Sequence, residues 1–220
     1  MSRSQSVEDY LKAIYKLQSS GQAKGVTNSR IADALEVANA SVTNMIKRLA
    51  EMGLVEYQSY KGTMLTEAGE KIALEMIRHH RLLELYLAEM LGYSWDEVHE
   101  EAEKLEHHIS EQFEDTISEL LNNPRFDPHG DPIPTKDGKM PRMDTVPLTE
   151  AEMHQPYIVR RVKNQTPTVL RFLEKNRIIP GIRLEVASSA AGQPIQLSVE
   201  NNKIELEQDI AKDILLIPES

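Results

Sequence analysis

Apolar residues recur at helical spacing from the start of the chain. Val7, Tyr10, Leu11, Ile14 and Leu17 fall on one face, which predicts a helix over 7–19, closed by Gly21 and Gly25. TNSRIADALEV predicts a second helix over 27–37, with Thr27 or Asn28 as its N-cap. After a break at 38–40, SVTNMIKRLAEMGLV predicts a third over 41–55, stopped at Gly53. VEYQSYKGTMLT (55–66) then alternates about Lys61-Gly62, as a β-hairpin does. Two short helices, a tight turn and a hairpin form the pattern of a winged helix-turn-helix.

A long amphipathic stretch predicts a helix over 66–91, closed by Gly92. SWDE (94–97) has the capping-box form and opens the helix that carries HEEAEKLEHHIS (99–110). A further helix is predicted over 110–122. Seven of the eleven prolines lie in 124–156, with Gly130 and Gly138 among them, which reads as a linker or an irregular wrap. Beyond it, IVRRV, RLEVAS, IQLSV, KIELE and DILLI alternate like short strands, and Asn201-Asn202 reads as a turn between two of them. The predicted class is mainly α with a small β-barrel-like domain. The expected organisation is a winged helix-turn-helix over 1–65, a helical domain over 66–123, a Pro-rich linker over 124–155, and a β domain over 156–220.

Composition narrows this picture. The chain has 220 residues and no cysteine, so disulfides and thiolate metal sites are excluded. No run approaches the roughly 18 apolar residues of a membrane span. The N-terminus lacks a signal peptide's apolar region, so a cytoplasmic protein without membrane association is expected. The net charge of −10 is unevenly spread. Residues 1–64 carry eight Lys and Arg against six Asp and Glu, whereas 65–122 carry four against fifteen. A mildly basic head thus precedes a strongly acidic middle, where a bound cation would relieve repulsion.

Candidate chemistry lies in both regions. On the 41–52 helix, Val42, Met45, Ile46, Leu49 and Met52 share one arc, and Ser41, Thr43, Asn44, Lys47 and Arg48 share the other. The second arc offers the hydroxyl, amide and cationic groups that read bases and phosphates. The wing adds Tyr60 and Lys61 as phosphate contacts, although a routine solvated turn explains those two equally well. In the acidic stretch His99, Glu103, Glu106 and His107 share an arc of about 100° bordering an apolar face. Two carboxylates and an imidazole converging there suit a divalent metal, and a solvated acidic edge is the competing reading. His80 and Glu84 lie one turn apart on an otherwise apolar helix face, either as metal ligands or as a structural hydrogen bond. His79 falls on another arc, His129 reads as structural, and His154 has no evident partner in sequence. The zinc-protease, diiron Glu-x-x-His, phosphate-loop and nucleophile-elbow patterns are all absent, so an enzyme is not expected.

VEDYLKAIYKL, the helix-turn-helix with its wing, LTEAGEKIA leading into HHRLLE, VHEEAEKLEHHIS, PHGDPIP and the small β domain occur in one order. In that order the chain resembles, over essentially its whole length, the diphtheria toxin repressor-type iron- and manganese-dependent transcriptional repressors. The resemblance implies an SH3-like C-terminal domain. It also implies one metal site at Asp9, Glu103, Glu106 and His107, and a second at His80, Glu84 and His99. The nearest counterpart of a ligand from the C-terminal domain is Gln165. Iron-type members carry methionine and cysteine where this chain has Asp9 and Glu103. Hard carboxylates favour Mn(II), with Fe(II) as the alternative and Zn(II), Co(II) or Cd(II) as substitutes in vitro. Short manganese-type members carry a carboxylate where this chain has Lys12. The expected protein is a homodimeric repressor of metal-homeostasis genes that binds palindromic double-stranded operator DNA. Its dimer face is placed at Val98, Ala102, Leu105, Ile109, Phe113 and Ile117. The alternative is a metal-independent dimeric winged-helix regulator.

Overall fold

The computed structural model describes residues 4–20, 25–58, 62–190, 192–200 and 202–219. The chain divides into two compact units. The first comprises Met1–His80, Glu106–Ile109 and Pro134–Met140; the second comprises Arg81–Leu105, Ser110–Ile133 and Pro141–Ser220.

The first unit contains α1 (Gln5–Ser19), α2 (Asn28–Leu35), α3 (Asn39–Glu51), β1 (Val55–Gln58), β2 (Gly62–Leu65) and the N-terminal part of α4 (Glu67–Leu91). Thr27 caps α2 by accepting from the Arg30 amide, which satisfies one of the donors a helix start leaves open. Glu36 ends that helix in the left-handed region, φ 53°. The predicted apolar arcs turn inward except at Met52, which is exposed: Leu11, Ile14, Ile31, Val42, Leu49 and Ala73 form one core. Strands β1 and β2 pair antiparallel from Val55–Leu65 to Gln58–Gly62, and Val26 bridges Thr63 as a third short rung. Gly62 has φ +89°, and a Cβ there would overlap the Val26 carbonyl, so only glycine lets the hairpin approach this rung. Tyr60 and Lys61 lie outside the described residues.

In the second unit the C-terminal part of α4 precedes α5 (Val98–Leu105) and α6 (Glu111–Leu120). The sheet that follows has the order β3 (Val146–Pro147), β8 (Ile214–Pro218), β4 (Pro156–Val162), β5 (Arg183–Ser188), β6 (Ile195–Val199) and β7 (Asn202–Leu206), each pair antiparallel. All five predicted strands are present. Two short helices were not predicted: α7 (Pro167–Lys175) and α8 (Gln208–Ala211). Leu170 and Leu173 of α7 join Val159, Val162, Leu184, Leu197 and Leu216 in the core of this unit.

Two expectations change. The 99–110 stretch is not one continuous helix. α5 ends at Leu105, residues 106–108 turn, and Ser110 caps α6 by accepting from the Phe113 amide. The shared arc drawn through His99, Glu103, Glu106 and His107 therefore breaks after Glu103. The proposed dimer face also divides. Val98, Ala102 and Ile117 are buried within the second unit, whereas Leu105 and Phe113 are exposed, as are Met90, Leu91, Tyr93 and Leu120.

The Pro-rich segment is an ordered wrap over 125–133. The Asp127 carboxylate accepts from the amides of His129 and Asp131, Phe126 bridges Pro132, and the Val162 amide donates to the His129 carbonyl. Gly130, φ +85°, lies so close to β4 that a Cβ would overlap the Arg160 carbonyl.

Candidate metal centres and nucleic-acid face

Within the first unit, Asp9, Glu106 and His107 bring one ligand atom each to within 4.8 Å of one another. Asp9 comes from α1, and the other two come from the turn after α5. Asp9 Oδ1 lies 3.0 Å from His107 Nε2, and Glu106 Oε1 lies 3.5 Å from the same nitrogen. His107 Nδ1 stands 2.8 Å from Glu8 Oε2. A carboxylate can only accept, so this contact puts the hydrogen on Nδ1. Nε2 is the atom turned toward two carboxylates, where a hydrogen or a metal ion would satisfy them. An imidazole anchored by a carboxylate behind and open in front is the usual arrangement around a metal.

Glu106 is 1% exposed. Its Oε2 accepts from His80 Nδ1 at 2.6 Å, and its Oε1 accepts from Lys12 Nζ at 2.5 Å. The His79 ring, also buried, sits 3.2 Å from the Glu106 carbonyl. The turn after α5 is thus held by side chains of α1 and α4. His80 shows the same anchoring as His107, with Nδ1 committed to a carboxylate.

The second unit holds another cluster. Glu84, Asp127 and His129 also place their ligand atoms within 4.8 Å of one another, and all three are buried. His129 Nε2 lies 2.7 Å from the Trp95 carbonyl, so Nε2 carries the hydrogen. Nδ1 is fully buried without a hydrogen-bond partner, 4.0 Å from Glu84 Oε2. The Trp95 ring stacks on the imidazole, 5.6 Å between centroids. The other oxygen of Glu84 accepts from His99 Nδ1 at 3.0 Å, and His99 Nε2 is 3.9 Å from Glu103 Oε1. Burial first, and then the charges of Glu84 and Asp131, push the Asp127 carboxyl well above its ordinary range; Arg81 opposes them. A bare imidazole nitrogen among crowded, desolvated carboxylates fits a cation.

Asp9, Glu106 and His107 come together, as do Glu84 and His99. Glu103 lies one turn after His99 on α5, its Oε1 3.9 Å from His99 Nε2. Gln165 donates to Asp131 Oδ2 at 2.6 Å, and Asp131 also pairs with Arg81 and Arg161. His129 is placed otherwise than expected: the residue read as structural belongs to a candidate ligand cluster. Asp127 was not singled out at all. Their local signal is an acid and a histidine two apart beside a proline turn, but the third member is distant in sequence. His154 lies 3.6 Å from Glu185 at the surface.

On α3, Ser41, Thr43, Asn44, Lys47 and Arg48 are all exposed, while Val42, Ile46 and Leu49 are buried. Asn28 donates to Thr43, which links the polar face to the start of α2. Among the described residues no helix is long and apolar enough to cross a membrane.

These features define a winged-helix protein with clusters of carboxylate and imidazole groups that could hold metal ions. Three family models match the chain in order: the iron-dependent repressor N-terminal DNA-binding domain over 3–63, the iron-dependent repressor metal-binding and dimerisation domain over 66–135, and the FeoA domain over 146–218. The iron-dependent repressor IdeR of Mycobacterium leprae is 31% identical over 219 residues, covering 93% of each chain. The HTH-type transcriptional regulator MntR of Oceanobacillus iheyensis is 38% identical over 118 residues, 53% of this chain and 78% of that protein. Among solved structures, a manganese-dependent transcriptional repressor in complex with manganese superposes with a TM-score of 0.86 at 34% identity, covering 97% of this chain and all of that one. ScaR with bound Zn2+ superposes at 0.78, also 34% identical, covering 97% and 99%. The chain belongs to the iron-dependent repressor family of metal-dependent, DNA-binding transcriptional repressors, which are not enzymes.

Proposed function

We propose that the protein is a Mn(II)-responsive homodimeric repressor of metal-homeostasis genes that acts on a palindromic operator. The observation that carries this reading is the convergence of Asp9, Glu106 and His107 with His107 anchored from behind by Glu8. Every donor in the set is carboxylate oxygen or imidazole nitrogen, which suits Mn(II) better than a thiolate or thioether set would. Solved relatives described with manganese, zinc and cadmium support metal binding and leave Fe(II) as the alternative.

A bound divalent cation supplies the positive charge that keeps these carboxylates together. The residues of the chain do the rest. Glu8 and Asp9 both face His107, so the order of this site is also the order of α1 against the turn after α5. α1 packs on α2 in one core with α3. Fixing α1 therefore fixes the exposed face of α3, whose Ser41, Thr43, Asn44, Lys47 and Arg48 we assign to DNA, with Tyr60 and Lys61 of the wing on phosphates. Regulation then follows from tighter ion binding in the DNA-competent arrangement. Glu103 remains a proposed ligand of this first site.

The second ion is proposed on Glu84, with His99 at one carboxylate oxygen and His129 at the other, and Asp127 beside them. His80, one helical turn before Glu84, is kept with this set. Gln165 acts here through Asp131. The test is a gel shift on the protein's own promoter DNA. Affinity should rise with Mn(II) and fall in chelator; equal affinity in both would reject the sensor reading in favour of a metal-independent regulator.

A further inference from the structure

We propose that Lys12 sets how tightly the first site holds its ion, by competing as a tethered internal cation for Glu106. This rests on the reading of Glu106 as a ligand. Lys12 is 6% exposed, on α1 one turn after Asp9 and Glu8. Its ammonium lies 2.5 Å from Glu106 Oε1. That oxygen is also the one 3.5 Å from His107 Nε2, and so the one turned to the ion position. One carboxylate oxygen thus faces two claimants for its charge.

The electrostatics have two opposite consequences. Without an ion, the ammonium neutralises a carboxylate that is 1% exposed, where an uncompensated charge is costly. With an ion, a fixed positive charge sits against a divalent cation in a poorly screened interior, and repulsion there is ample to shift affinity tenfold or more. Lys12 therefore stabilises the ion-free protein and weakens ion binding. A purely structural lysine would do neither selectively, because its loss would harm the ion-free and ion-bound states alike.

This opposition gives the test. Full-length protein is titrated calorimetrically with MnCl2, and its melting temperature is recorded in chelator. Glu106→Gln identifies the titration step that belongs to this site. Lys12→Met should tighten that step by about tenfold or more while lowering the melting temperature in chelator. Lys12→Gln, which keeps a donor to Glu106 without the charge, serves if the Met variant fails to fold, and should behave alike. Lys12→Arg should leave affinity near that of the unaltered protein. Unchanged or weaker Mn(II) binding in the neutral variants would overturn the proposal and leave the site reading standing. If no step of the unaltered protein is lost in Glu106→Gln, both fall.

Discussion

The two clusters use the same ligand types but differ in what surrounds them. In the first, the Asp9 side chain is 39% exposed and a lysine touches the shared carboxylate. In the second, Glu84, Asp127 and His129 are all buried. There Arg81 stands 3.7 Å from Asp127 and is also committed to Asp131 and to the Pro132 carbonyl, and Arg161 pairs with Asp131. The first cluster is assembled from a helix and a turn far apart in sequence, and it is partly neutralised from within. The second is built into a wrap whose backbone is hydrogen-bonded to β4. The first cluster is thus open to solvent at Asp9, whereas the second is closed on all three residues.

Paired ligand deletions should break this comparison most sharply. His107→Ala should remove the Mn(II) stimulation of operator binding altogether, a loss of about 5- to 150-fold if the coupling is ordinary. His129→Ala should instead remove one ion per chain and much of the Mn(II)-dependent rise in melting temperature, with stimulation at saturating Mn(II) retained. Anisotropy on a labelled promoter duplex, together with metal analysis, reads both; identical phenotypes would erase the distinction. Glu103→Ala should also abolish metal-stimulated DNA binding with little loss of fold. An intact Mn(II) response in that variant would remove Glu103 from the first site.

Glu8→Gln is a finer probe. It keeps a side chain of the same size behind His107 but removes the charge that orients the ring. Mn(II) affinity at the first site should fall by about 10- to 100-fold, with the second site unaffected, as calorimetry can resolve. Gly130→Ala should have a smaller and different effect. Its positive φ and the Arg160 carbonyl should cost about 1–3 kcal/mol of stability in urea denaturation. It should also loosen the second cluster while leaving the first unchanged. A Gly130→Ala protein as stable as the original would mean that the wrap is not held as tightly as described.

Much of this was legible in the residues. Helices α1 to α6 follow from 3.6-residue periodicity, with side-chain caps at Thr27 and Ser110, and the five main strands follow from alternation. α7 was missed because it is only nine residues long and lies between strands, although its residues are amphipathic and Pro167 opens it as a helix start would. The break after Leu105 was missed for a related reason: HEEAEKLEHHIS continues the helical spacing, and only tertiary contacts from Lys12, His79 and His80 hold Glu106 in a turn. Asp9 lies off the apolar arc of α1, so periodicity could not find it, and the family resemblance did. Asp127 and His129 are the reverse case. A proline-rich segment lacks periodicity, and what makes these residues a cluster is Glu84, more than forty positions earlier.

The claim beneath all of this is that the two clusters are ion sites. Anomalous diffraction at the manganese edge, from crystals grown with MnCl2, tests it most directly. One peak is expected among Asp9, Glu106 and His107 and another among Glu84, Asp127 and His129. A map with manganese bound elsewhere, and both clusters empty at saturating Mn(II), would contradict it.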